Sequence, residues 1–136
     1  MAKPPQKSIA STIVEALPEF SPDGRKVAFV SSRSGSSEMW TCDADGSKLV
    51  QLISLGSPTF VIGVHWPPDS RRLTFSADTE GLEEVYVTNA SGGSPRRLTS
   101  SPCGSAMPSW SKDGHWILFD SSADIYKVPA EGGWLC

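Results

Sequence analysis

His65 and His115 are the only imidazoles in the chain. Acyl-transfer chemistry would need one of them in contact with a nucleophile and an orienting acid. No Gly-x-Ser-x-Gly elbow, His-Glu-x-x-His motif or glycine-rich phosphate loop accompanies them. His65 precedes Trp66 and reads as lining an interior channel, whereas His115 follows a turn and reads as solvated. The run Asp43-Ala44-Asp45-Gly46 opens like a calcium loop but lacks the third acidic position and the distal glutamate. A hairpin turn explains it better, because Asn89-Ala90-Ser91-Gly92-Gly93 holds the same place without carboxylates. Arg71-Arg72 and Arg96-Arg97 are basic pairs that suit solvated strand edges. Cys42, Cys103 and Cys136 are odd in number and contain no Cys-x-x-Cys pair, which argues against a disulfide framework or a zinc site. The expectation is therefore a chain with no catalytic residue, no metal and no cofactor.

The charge balance narrows the partners. A formal net charge of −3 argues against a nucleic-acid binder held by phosphate contacts. No run approaches the length of a membrane-spanning helix, and no apolar segment follows the lysines at the start, so neither a membrane span nor a signal peptide is expected within this sequence. With 136 residues the chain allows one domain, and its 12 glycines and 11 prolines favour many short strands over long helices.

Those strands repeat. Pro22-Asp23-Gly24 supplies a fixed φ, a turn-forming carboxylate and a residue free to take positive φ, which is the chemistry of a tight hairpin. Phe20 stands before this turn and the apolar run 27–30 follows it. Two further copies run through Trp66, Asp69 and Phe75, and through Trp110, Asp113 and Phe119. Trp40, Tyr86 and Tyr126 form a third aligned set, and Leu52 and Leu98 a fourth. Four short strands in a unit of about 40–45 residues is the period of a β-propeller blade. The second strand of each unit is apolar at successive positions, as expected of a sheet covered on both faces. The fold class is all-β: a β-propeller of three four-stranded blades. The blades occupy 18–54, 64–100 and 108–136, the last with an incomplete outer strand, after an arm at 1–17 that carries a short strand around Ile9–Val14.

The pattern Pro-x-aromatic-Ser-Pro-Asp-Gly, then Met39-Trp40, Asp43-x-Asp45-Gly46-Ser47 and a later Leu-Thr resembles the TolB-type propeller repeat. The repeat is also similar to blades in the propellers of tricorn protease and the prolyl oligopeptidase group. The second unit departs from it at Pro67 and Ser70, and the third at Lys112. The resemblance implies a non-catalytic scaffold that binds a protein or peptide. Its alternatives are a substrate-gating propeller cut from a peptidase and a small-ligand or carbohydrate binder at the channel mouth. It implies a periplasmic location if the parent is TolB-like, and a cytoplasmic one otherwise.

Comparing the units with one another locates the expected binding surface. The turn after the first strand and the turn after the third keep their lengths, while the connections at the other end of each sheet vary. Variable loops on a rigid scaffold are where recognition usually sits. The residues expected there are Arg33, Phe60, His65, Asp78, Glu83, Glu84 and Met107. Closure of a propeller takes about four to eight blades. Three blades imply a homodimer completing a six-bladed ring, or further blades in a longer parent, with the apolar faces of both terminal blades exposed until then.

Overall fold

The structure is a computed structural model that describes residues 4–5, 15–55, 60–78, 81–100 and 104–132. They form three antiparallel sheets. Blade 1 is β1 (Glu15–Phe20), β2 (Lys26–Ser31), β3 (Glu38–Asp43) and β4 (Val50–Gln51). Blade 2 is β5 (Phe60–His65), β6 (Arg72–Asp78), β7 (Glu83–Asn89) and β8 (Arg96–Arg97). Blade 3 is β9 (Ala106–Trp110), β10 (Trp116–Ser121) and β11 (Asp124–Pro129). Each sheet runs up and down in chain order. The first strands are innermost, with β1 against β5 and β5 against β9. The strand expected around Ile9–Val14 and the outer strand expected after Gly132 lie outside the described residues.

Both faces of the middle strands are covered, as the unbroken apolar runs require. On β2, Ala28 and Val30 join Met39 and meet Leu73, Phe75, Ala77 and Tyr86 of blade 2. The other face of blade 2 gives Val85 and Val87, which meet Ile117, Phe119, Val128 and Ala130 of blade 3. Phe75 stacks on Tyr86 at 5.4 Å, and Phe119 on Tyr126 at 5.9 Å.

The hairpin turn is the same device three times. Ser21 Oγ donates to Asp23 Oδ1 (2.6 Å), which also accepts the Arg25 amide (3.0 Å), while the Lys26 amide donates to Ser21 Oγ (3.0 Å). Ser111, Asp113, His115 and Trp116 repeat it at 2.6, 3.0 and 3.0 Å. The serine hydroxyls, followed by the main-chain amides, hold the Asp23 and Asp113 carboxyls below the usual range. In blade 2 Pro67 replaces the serine and Ser70 replaces the glycine. Ser70 nevertheless takes the glycine's left-handed conformation, φ 58° against 75° and 76° at Gly24 and Gly114. Its hydroxyl accepts the Asp23 amide of the neighbouring turn (3.3 Å).

A second repeated device was hidden in the sequence. Each innermost strand carries a bulge with one residue at positive φ: Leu17 (54°), Gly63 (65°) and Met107 (53°). The register shifts at each of these places. The bulge is why Pro18 and Pro108 are tolerated inside strands. It also carries β1 back to Glu15, into the stretch that the sequence assigned to the arm.

The expectation of two exposed terminal faces is half met. Blade 3 exposes Leu118 (38%) and Ile125 (70%) on its outer face. The outer face of blade 1 is buried instead, with Phe29 and Cys42 each 1% exposed, and Arg33 lies over the rings of Phe29 and Trp40.

Candidate functional site

At the end of the sheets where β6 turns into β7, a cavity of about 410 Å³ opens between blades 2 and 3. Its wall carries the carboxylates of Asp78, Glu83 and Asp120, with Leu82 beside them. Asp78 closes its own turn by accepting the Gly81 amide (2.7 Å), and Ser76 Oγ donates to Glu83 Oε1 (2.9 Å). The Ser105 amide donates to the Glu83 carbonyl (2.6 Å), strapping the start of β9 across the site. Gly104 is required in that strap, because a Cβ there would meet the Glu83 carbonyl at 3.3 Å and its φ is +79°.

Two large exposed apolar side chains belong to residues next to those of the cavity wall. Phe60, 61% exposed, is paired across the sheet with Asp78. Met107, also 61% exposed, follows Ala106, which is paired with Asp120. The left-handed bulge at Met107 takes that residue out of the in–out alternation of its strand and turns it to solvent. Phe60, Asp78, Glu83 and Met107 thus gather at one end of the molecule. Phe60 and Met107 do so as strand residues, where the sequence placed them in links between blades. Both strands begin earlier than the turn signals indicated, because the bulge interrupts their apolar alternation.

The other three expected residues do not join this group. Arg33 sits at the same end but is folded onto the outer face of blade 1, 5.1 Å above the Trp40 ring, with its Nε donating to Ser31 Oγ (3.1 Å). Glu84 is 2% exposed and serves the interior. It accepts the Thr99 hydroxyl and pairs with Arg97 at 3.4 Å. Glu38, the same position one blade earlier, is likewise buried and accepts the Leu55 amide at 3.0 and 3.2 Å. A carboxylate at the start of each third strand, recurring in register with Trp40 and Tyr86, was the signal for this role.

His65 corrects the expected grouping. It is the last residue of the six-residue strand β5 and so lies at the constant-turn end, opposite Phe60. There its Nδ1 is 2.9 Å from Glu19 Oε2 of the neighbouring innermost strand. Glu19 sits one residue before the aromatic of its unit, as His65 does, and that shared position is the signal for the pair. Trp66 Nε1 donates to the Glu19 carbonyl (3.0 Å), and Trp110 Nε1 to the His65 carbonyl (3.2 Å). These groups line a cavity of about 310 Å³ together with Lys112. Among the described residues no cluster of three or more His, Cys, Asp or Glu has the makings of a metal site. Asp43 of the calcium-like run is instead bound by Lys26 (2.5 Å) and Lys48 (3.7 Å). No helix among the described residues is long and apolar enough to cross a membrane.

Three up-and-down sheets sharing an inner edge, each closed by the same Asp turn, define an arc of an all-β propeller. The arc is similar in fold to TolB-type propellers. TolB from Acinetobacter baumannii is 25% identical, with a TM-score of 0.67 over 86% of this chain and 30% of that one. An oligogalacturonate lyase from Vibrio parahaemolyticus is 14% identical, with a TM-score of 0.66 over 86% of this chain and 34% of that one. A Mycobacterium tuberculosis puromycin-hydrolyzing peptidase is 19% identical, with a TM-score of 0.65 over 93% of this chain and 22% of that one. The chain therefore spans about a third or less of the length of each of these proteins. No family model matches the sequence.

Proposed function

We propose that this chain is a non-catalytic propeller scaffold that binds a protein or peptide at the end bearing Phe60, Asp78, Glu83 and Met107. The observation that carries this reading is the pair of 61%-exposed apolar side chains beside a carboxylate-lined cavity. Burying Phe60 and Met107 in a partner is worth about 1.5–3 kcal/mol each, and the carboxylates select a basic segment next to an apolar one. The test is capture of one defined partner by the wild type and its loss with F60A/M107A at an unchanged melting temperature. Equal capture by both proteins refutes the reading.

The scaffold is completed by more blades. The exposed Leu118 and Ile125 on blade 3 support this, since the equivalent positions of blade 2, Thr74 and Val85, are each 0% exposed against blade 3. In the version made of two copies closing a six-bladed ring, light scattering returns twice the 14.6 kDa chain mass. A compact monomer refutes that version and leaves the further blades to a longer parent.

A second reading is favoured by the cavity at Trp66, Trp110 and Lys112, whose aromatic edges and ammonium suit an anionic sugar. Quenching of tryptophan fluorescence by oligogalacturonate, abolished in Lys112→Glu, is its test.

A further inference from the structure

The two grooves between successive blades are built from equivalent residues and end differently. In the groove between blades 2 and 3, Arg72 crosses to Glu131 (2.9 Å) and to the Gly114 carbonyl (3.4 Å), lying 5.1 Å over the Trp110 ring. Arg96 crosses beside it to the Ala130 carbonyl (3.2 Å). What remains open there is about 320 Å³ with Arg72, Arg96 and Glu131 in its wall.

In the groove between blades 1 and 2 the equivalent positions hold Lys26, Val50 and Ser91. Lys26 turns back to Asp43 of its own blade, and Val50 stays 52% exposed. The groove is left as a cavity of about 690 Å³ floored by Val50, Leu52, Trp66 and Ala90. Arg25 and Arg71 stand on its rim, both exposed, and neither guanidinium makes a hydrogen bond or ion pair among the described residues. Three cations (Arg25, Lys26 and Arg71) and one carboxylate (Asp23) line it, in a chain whose formal net charge is −3. Asp23 Oδ1 accepts two hydrogen bonds of its own turn, and the charge of Arg25 acts on the same carboxylate.

We infer that the groove between blades 1 and 2 is a second binding site, for an extended acidic peptide segment with one apolar anchor. The anchor covers Val50 and Trp66, and flanking carboxylates meet Arg25 and Arg71. The outermost strand β4, two residues long, contributes Val50 to the groove, and edge strands accept extended segments through their main chain. The site is at the opposite end from Phe60 and Met107 and rests on no part of the reading given above.

The molecule supplies its own control. K26R/V50R/S91E copies the closed groove into the open one. The probe is a fluorescein-labelled pentapeptide, Asp-Glu-Leu-Glu-Asp, followed by anisotropy at low and high salt. Wild type binds it, more weakly as salt rises. The filled variant binds it at least tenfold more weakly at an unchanged or higher melting temperature. R25E/R71E, altered only on the surface, gives the same loss if the filled variant fails to fold. The inference is overturned if the peptide does not bind wild type, or if both variants bind it as wild type does. Equal binding of Lys-Arg-Leu-Arg-Lys overturns it as well. So does decanoate saturating the groove where the peptide does not, which assigns the cavity to a free amphiphile.

Discussion

Two buried threonines give opposite expectations for the same substitution. Thr99 is 0% exposed, and its hydroxyl donates to the buried Glu84 carboxylate while accepting the Val85 amide at 3.0 Å. Thr99→Val keeps the shape, takes the acceptor from the buried Val85 amide and removes one hydrogen bond from the Glu84 carboxylate. An unsatisfied buried amide costs about 1–3 kcal/mol, and a lost bond to a charged group about 1.5–3 kcal/mol. Arg97 remains 3.4 Å from the other Glu84 oxygen and moderates the second figure, so the expected loss is about 3 kcal/mol. Thr88 is 3% exposed, and its hydroxyl has no hydrogen-bond partner among the described residues. Thr88→Val removes a desolvated hydroxyl and adds apolar contact, for an expected gain of about 1 kcal/mol. For a chain of this size these become a drop of about 10 °C and a rise of about 3 °C in melting temperature. Calorimetry reads both, and urea titration at constant m checks that the denatured state is unchanged. A T99V protein as stable as wild type, or two variants shifting in the same direction, would refute the assignment of the Glu84 network as the support of the outer strand.

Acid should weaken the fold through its turns. The Asp23, Asp43, Asp45 and Asp113 carboxyls are held below their ordinary values. Their contribution is whole above the unfolded carboxyl value of about 4 and lost as pH falls through the folded ones. The melting temperature is expected to be level from about pH 7 to 5 and to fall below about 4, with a shallower fall in D23N/D113N. Trp110→Phe removes the indole donor to the His65 carbonyl and should lower stability by about 1–2 kcal/mol, read as a lower urea midpoint; an unmoved midpoint rejects the bond as a blade-to-blade tie. Gly114→Ala meets only Pro68 Cδ at 3.9 Å but forces alanine to φ +76°, so it should cost about 1 kcal/mol from backbone alone, whereas Ser70→Gly, which relaxes the same position one blade earlier, should not lower stability.

The blades were legible because their signals are local. Asp-Gly turns, aromatic positions in register and apolar runs each lie within a dozen residues. What escaped depends on contacts across the sequence. The bulges at Leu17 and Met107 replace glycine with residues that carry no mark of positive φ, and only Pro18 and Pro108 hinted at them. Glu84 read as a loop charge because its partner, Thr99, lies on the far side of the outer strand. The sequence groups His65 with Phe60 because both stand between two turn signals, yet they are the two ends of the six-residue strand β5 and lie at opposite edges of the sheet. Nothing in the sequence around Arg33 shows that it lies over the Trp40 ring.

The indole bonds along the inner edge have a direction. Trp66 of blade 2 donates to Glu19 of blade 1, and Trp110 of blade 3 donates to His65 of blade 2. Each blade grips the one before it, so blades attach head to tail and their order cannot be reversed. Phe20, at the same position of blade 1, has no N–H to give and is 61% exposed. A blade arriving after blade 3 with a tryptophan at this position has the Ser109 carbonyl to hold, but a blade placed before blade 1 receives no such grip. Any closed ring that included this arc would lack the indole clasp at the junction of each Phe20.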